Sequence, residues 1–228
     1  MRVLTWNLFH GRSVPPAGRA LEAEFAERLA VWEWDVALLQ EVPPWWPSLL
    51  AWAAGAEQHA TLTSRNGGLA LRRAIAERWP DAIKSNGGGC NVILARQPIA
   101  AHRRIRLRVW PERRVAQLVK LRDGTCVVNF HASTRRALAE AELARLWPHA
   151  LAWAGEAALI LGGDLNLRSP TSPARDIANA ARNHVDHLFT RGFDASAEAE
   201  LLDRYLAMDE GQVQLSDHAP LVVSLRAV

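Results

Sequence analysis

The stretch Ala158-Leu-Ile-Leu-Gly-Gly-Asp-Leu-Asn166 decides how this chain is read. Residues 157–161 are apolar without a break, which suits a strand buried on both faces. Gly162-Gly163 ends the run, Asp164 stands at its tip, and Asn166 follows two residues on. A carboxylate at the end of a fully buried strand is costly unless a partner meets it there. The arrangement recurs. Val-Leu-Thr-Trp ends in Asn7, Val-Ala-Leu-Leu-Gln in Glu41, and Val-Val-Asn-Phe in His131. His184-Val185 precedes Asp186, and Ser216-Asp217-His218 precedes a last apolar strand. Any one of these is ordinary, because Asp and Asn are common at strand ends. Six together describe a fold that gathers polar side chains from distant positions onto one site.

The surrounding sequence fits such a fold. The chain has 228 residues, 49% apolar and 22% charged, which is ordinary for a globular protein and excludes wholesale disorder. One catalytic domain over 1–228 is expected. Strands are predicted over 2–7, 36–40, 92–95, 105–109, 115–121, 125–130, 157–161, 185–189 and 221–225. Helices are predicted over 21–32, 49–54, 69–79 and 137–153, the last stopped or kinked near Pro148. Asn86-Gly-Gly-Gly89 reads as a turn into a strand, and Asp123-Gly124 as a hairpin turn. The alternation of strands and helices argues for a layered α/β domain. The polar residues Asn7 and His10 interrupt what a signal peptide needs as an apolar run, and no stretch of about 18 apolar residues could span a bilayer. An intracellular, cytoplasmic monomer is expected. Cys90 and Cys126 read as ordinary thiols.

The residue types at the strand tips restrict the chemistry. Glu41, Asp164 and Asp217 are hard anionic oxygens, and Asn7 and Asn166 add neutral amides. This set suits Mg²⁺ or Mn²⁺ and suits zinc or copper poorly. His131 and His218 handle protons near neutral pH. Together with arginine they point to water attacking a phosphate ester. No Gly-x-Ser-x-Gly elbow and no phosphate loop ending in Gly-Lys-Ser/Thr is present, which weakens acyl transfer and nucleotide-driven motor chemistry. Residues 103–122 carry eight basic side chains against one acid, Glu112. That band is either a polyanion-binding surface or a solvated strand face. Trp45 and Trp46 either stack on a base or anchor a loop. His10, His187 and Asn91 read as supporting groups, and His59, His102 and His149 as surface residues.

In this order the motifs resemble the endonuclease/exonuclease/phosphatase superfamily, in particular its deoxyribonuclease-like branch. They are Thr5-Trp6-Asn7, Leu39-Gln40-Glu41-Val42, the segment 90–96, Val128-Asn129-Phe130-His131, Gly163-Asp164-Leu165-Asn166, the segment 185–189, and Ser216-Asp217-His218-Ala219-Pro220. The resemblance implies a four-layer α-β-β-α sandwich of two mixed sheets with an internal two-fold. Val3–Asn7 and Val127–His131 would then be corresponding strands. It also implies roles. Glu41, with Asn7 and Asp217, would hold Mg²⁺ or Mn²⁺. His218, paired with Asp186, would activate water or stabilise the phosphorane. Asp164 would position the nucleophile, and Asn166 would hold a phosphate oxygen. His131 would bind phosphate or protonate the leaving group, and Arg114 (or its neighbour Arg113) would contact phosphate. Phe9 stands where abasic-site enzymes carry an acid, and the only tyrosine is Tyr205. Asn166-Leu167-Arg168 departs from the inositol-phosphatase pattern. A metal-dependent phosphodiesterase acting on nucleic acid, DNA first, is the expectation. Hydrolysis of a small phosphoester or phospholipid head group, and a non-catalytic binding protein on the same fold, are the alternatives.

Overall fold

In the computed structural model, residues 1–64, 66–82, 89–196, 198–209 and 211–228 are described. The expected glycine turn at 86–89 lies outside them apart from Gly89. The chain runs β1 (Arg2–Asn7), a 3-10 turn (Phe9–Gly11), β2 (Ser13–Val14), α1 (Glu22–Val31), β3 (Val36–Val42), α2 (Pro47–Ala53), β4 (Glu57–Leu62), α3 (Leu69–Arg78) and β5 (Cys90–Ala95). It continues through β6 (Ile99–Arg108), β7 (Arg114–Leu121), β8 (Cys126–Asn129), α4 (Arg136–Ala154), β9 (Leu159–Asp164), β10 (Ala178–Asn183) and β11 (Asp186–Arg191). Last come β12 (Phe193–Ala195), β13 (Glu200–Leu201), β14 (Tyr205–Met208), β15 (Gly211–Leu215) and β16 (Leu221–Ala227).

Two mixed sheets dominate. One has the order β12-β16-β1-β3-β5-β4, with β13 also on β16; the other is β10-β11-β9-β8-β7-β6. A small sheet, β14-β15-β2, lies apart. The path β16-β1-β3-β5-β4 repeats as β7-β8-β9-β11-β10. In each path the pairings run antiparallel, parallel, antiparallel, antiparallel. The parallel pairs β1/β3 and β8/β9 are joined through α1 and α4, as parallel strands require a crossover. This is the internal two-fold that the motif order implies, with β1 answering β8 and β3 answering β9.

Packing follows the apolar pattern. Leu4, Trp6 and Leu39 of the first sheet face Phe25 and Leu29 of α1 and Leu50 of α2. Leu118, Val128 and Leu161 of the second sheet face Leu143, Leu146 and Ala150 of α4. Val3, Val36, Leu38 and Ile93 meet Val119, Val127, Ile160 and Leu188 between the sheets. The result is helix, sheet, sheet, helix. α4 runs on through Pro148 instead of stopping there. Proline forfeits one backbone hydrogen bond, but the buried row from Leu143 to Ala150 holds the helix on its sheet. Trp46 is buried against Phe25, which settles it as an anchor. Among the described residues no helix is long and apolar enough to cross a membrane.

The sheets are also joined by a buried amide network just below the strand tips. Asn129 Nδ2 of β8 donates to the carbonyls of Leu39 and Val92 in the opposite sheet and to Gln117 Oε1. Gln40 Nε2 of β3 donates to Asn129 Oδ1 at 2.9 Å. Asn129, Gln117 and Gln40 are completely buried. Removing the Asn129 amide would strand several donors and acceptors at once, each costing about 1–3 kcal/mol. The Asn129→Ala protein is therefore expected to lose about 3 kcal/mol or more in denaturant unfolding. A loss under about 1 kcal/mol would mean that the network holds nothing.

Candidate active site

The parallel strands of both halves point their C-terminal ends into one cleft. Asn7 ends β1, Glu41 lies near the end of β3, Asp164 ends β9, and His131 follows β8. Asp186 opens β11 and lies opposite Asp164 in the sheet register. Ser216-Asp217-His218 enters from the loop before β16 and is fixed at three points. Ser216 Oγ donates to the Asn7 carbonyl, the His218 amide donates to Ser216 Oγ, and Trp6 Nε1 donates to the His218 carbonyl.

Asp164 is the hub. Its Oδ2 accepts from Asn7 Nδ2 at 2.9 Å and lies 3.3 Å from His131 Nε2 and 3.8 Å from His218 Nε2. Its Oδ1 accepts from the Asn166 amide at 3.0 Å. Asn166 Nδ2 in turn donates to the Ala132 carbonyl, tying this turn to the loop that carries His131. His218 Nδ1 lies 2.9 Å from Asp186 Oδ2, so the carboxylate fixes the tautomer and leaves Nε2 toward the cleft. Asp164, Asp186 and His218 present ligand atoms within 4.8 Å of one another. Because Nδ1 is committed to Asp186, that trio is better suited to handling protons than to caging an ion.

Glu41 stands on the other side of Asp164. A bulge in the β3/β5 pairing, between Leu39 and Val42, and a φ of 51° at Glu41 re-aim its side chain. His10 Nε2 lies 3.1 Å from Glu41 Oε2, and His131 Nε2 lies 4.0 Å from Glu41 Oε1. Glu41, His10, His131, Arg113 and Arg114 line a cavity of ≈ 160 Å³. Arg114 is nearly buried and pairs with Glu112, while Arg113 Nε is tied to the Thr63 carbonyl. Arg114 is also the arginine whose charge acts on Glu41. Asp217 is exposed at the rim and acts on Glu41 and His218 through its charge. On the far side, Asp186, Asp217 and His218 border a second cavity of ≈ 440 Å³ with His184 and Arg204.

Burial, joined by the charges of Asp164 and Asp217, pushes the Glu41 carboxyl up to about 7. Burial and the Asp186 charge raise Asp164 to about 6, against the pull of His218 and the Asn7 and Asn166 hydrogen bonds. Burial alone would lower His218, but the bond and charge of Asp186, with Asp164 and Asp217, raise it to about 9.

All nine residues expected at the site border this cleft or bond to groups that do. His10, read from the sequence as a supporting group, joins them through Glu41. Phe9 and His10 both have positive φ (48° and 55°), which turns the imidazole back onto Glu41. Gly11 is required next: a Cβ there would sit 2.2 Å from the Trp46 ring. Asn166, His184 and Ser216 also have positive φ, so backbone strain gathers around the cleft. Gly163 belongs to the same constraint, because at φ 132° a Cβ would lie 2.1 Å from the Phe130 carbonyl oxygen. His187 and Asn91 are structural, bonded to the Leu167 and Val115 carbonyls. His59, expected at the surface, is half-buried and stacked at 4.2 Å on His102.

The basic band over 103–122 does not form one surface. Arg108 pairs with the buried Glu142, and Lys120 lies over Trp153. Lys120 and Arg122 stand at the far end of β7, roughly 20 Å from Arg114 at strand rise. A concavity of ≈ 740 Å³ beside α4 and residues 167–173 holds none of the site residues.

The chain matches the Endonuclease/Exonuclease/phosphatase family over residues 4–218. It belongs to that family. No curated protein matches it in sequence. Solved structures similar to it include an endonuclease/exonuclease/phosphatase from Beutenbergia cavernae (TM-score 0.72, 20% identity, 100% of this chain and 71% of that one). Others are a mannosyl-6-phosphatase from Bacteroides thetaiotaomicron (0.72, 15%, 99% of each chain) and TDP2 from Caenorhabditis elegans (0.70, 15%, 100% and 74%). At these identities the likeness is one of fold. The family fold is that of a phosphoester hydrolase.

The pKa directions give a sign for stability. A protonated His218 adds stability that is full below about 6.5, its ordinary value, and is lost as pH rises through about 9. The gap in unfolding free energy between the wild-type protein and His218→Gln should therefore narrow from pH 6 to pH 10, measured in chelator. A gap that widens over that range would contradict the Asp186–His218 pairing.

Proposed function

We propose that this family member is a divalent-metal-dependent phosphodiesterase whose single catalytic domain spans the chain and acts on nucleic acid, DNA first. The observation that carries this is the convergence on Asp164 of two imidazoles, two amides and neighbouring carboxylates from both halves of the sandwich. The donor set suits a hard cation. Glu41 is pushed up to about 7 by burial and by like charge from Asp164 and Asp217, a strain that a divalent ion relieves. Glu41, Asn7 and Asp217 would hold Mg²⁺ or Mn²⁺. When bound, the ion would supply Lewis-acid stabilisation of charge on the phosphoryl oxygens.

The chain's own residues do the rest. Asp164 accepts a hydrogen bond from, and so orients, the attacking water. His218, pinned by Asp186 through Nδ1, presents Nε2 to the phosphoryl group and stabilises charge as it develops. His131 and Asn166 hold phosphate oxygens, and His131 is placed to give a proton to the leaving oxygen. Arg114 adds fixed positive charge from the wall of the cavity. His10 orients Glu41 by bonding one carboxylate oxygen and leaving the other.

A second reading, hydrolysis of a small phosphoester, is favoured by the narrowness of the ≈ 160 Å³ cavity beside Glu41 and by the fold shared with a mannosyl-6-phosphatase. A panel of plasmid DNA, single strands, RNA, bis-p-nitrophenyl phosphate, sugar phosphates and sphingomyelin, each with Mg²⁺, Mn²⁺ or chelator, separates the two. DNA cleavage that needs metal is expected. Turnover of monoesters alone would favour the second reading, and no turnover of any phosphate ester would rule out both. His218→Ala should lower kcat by about 10²–10⁴-fold, and full activity in that variant would remove its role. His10→Ala should weaken Mn²⁺ binding about 10–100-fold, with His10→Gln milder and thermal stability little changed.

A further inference from the structure

The hairpin loop 109–113 between β6 and β7 has two walls. Glu112 and Arg113 line the cavity that holds Glu41, His131 and Arg114. Trp110, with Val109, borders a separate depression of ≈ 430 Å³ with Arg106, Leu107, Arg108 and Arg145. Trp110 is 82% exposed and Val109 66%. Most tryptophans here pack into the cores, whereas Trp110, like Trp52 and Trp79, stands in solvent. Three arginines stand around it. Arg108 is committed to Glu142. Arg145 holds the β6 backbone by bonding the Leu107 carbonyl. Among the described residues neither Arg106 nor Arg145 has an acidic partner, and both are exposed. The depression lies one strand from the cleft, since Arg108 pairs with Arg114 and Arg106 with Val115 in the β6/β7 register.

We propose that this depression is a second nucleic-acid contact, which grips a single strand where it leaves the cleft over the 109–113 loop. It rests on the nuclease reading and extends it. A base stacks on Trp110, and a backbone phosphate sits between Arg106 and Arg145. Guanidinium groups interleaved with an exposed aromatic ring suit single strands, whose bases offer a free face at every residue. A duplex keeps its bases stacked inside and could use only the charges. An acidic peptide would use the same arginines without the ring.

The test uses the whole protein in chelator, with oligothymidylate as the probe and binding read by tryptophan fluorescence. Trp110→Ala should weaken binding about tenfold, and Trp110→Phe should restore most of it. Arg106→Ala and Arg145→Ala should each reduce the slope of log affinity against log salt by about 0.7, which a merely structural change would not do. Duplex DNA should lose less than the single strand when Trp110 is removed. Under Mn²⁺, Trp110→Ala should raise KM on long oligonucleotides more than on dinucleotides, with kcat little changed. Binding and salt slopes that match wild type in all three variants would overturn the proposal, as would equal losses on duplex and single strand. Displacement of the probe by polyglutamate with undiminished strength in Trp110→Ala would assign the surface to acidic protein instead. A protein that hydrolyses bis-p-nitrophenyl phosphate but neither binds nor cuts oligonucleotides would overturn the nuclease reading along with it. Cleavage of oligonucleotides that is indifferent to these variants would overturn the contact alone.

Discussion

Asn129 fixes the register between the two halves of the molecule. Its side chain leaves one sheet and bonds two carbonyls of the other, and Gln40 returns the bond. Apolar packing between the sheets sets a spacing but no register, because hydrophobic contact is not directional. The amide network supplies the register. It lies one or two residues below Glu41 and His131, so the strand tips above it cannot slide apart without breaking buried hydrogen bonds. Everything at the cleft is measured from that floor.

Above the floor the backbone is forced out of its easy conformations. Glu41, Asn166, Ser216, His184 and the Phe9-His10 pair all have positive φ without being glycine. Each costs something in isolation, and surrounding bonds hold those nearest Asp164 and His218 in place. Asn166 is held by Asp164 and Ala132, and Ser216 by Asn7 and His218. Burial first, and then the repulsion among the carboxylates so gathered, raises the pKa of Glu41 and of Asp164. Folding therefore concentrates negative charge that a hard cation and a phosphoryl group are suited to share.

Much of this was legible in the sequence. The strands over 2–7, 36–40 and 157–161 announce themselves as apolar runs, and α1 by its 3.6-residue spacing. The repeated polar tips identify Asn7, Glu41, His131, Asp164, Asp186 and His218 as neighbours. What escaped depends on contacts that span sheets or on unusual turns. The polar, exposed strands β4 and β10 have no hydrophobic alternation to read. His10 was legible as a supporting group, but its contact with Glu41 runs through two left-handed residues, which no propensity favours. Pro148 should break a helix, but burial on the second sheet overrides it. The arginine band looked continuous in sequence because β6 and β7 are adjacent in the chain. The antiparallel hairpin pairs Arg103 with Leu118 and Arg104 with Gln117 toward its open end, and only the turn end near Arg114 stays beside the cleft.

Catalysis as proposed needs one ion site, held by Glu41 and Asn7 of the first sheet and Asp217 of the loop before β16, beside the residues of the second sheet. Titration of the whole protein with Mn²⁺, followed by electron paramagnetic resonance, measures it directly. The account predicts tight Mn²⁺ binding that Glu41→Gln abolishes and that Asp186→Asn, which removes no proposed ligand, leaves in place. Binding that survives Glu41→Gln, or that disappears in Asp186→Asn at unchanged thermal stability, would contradict it.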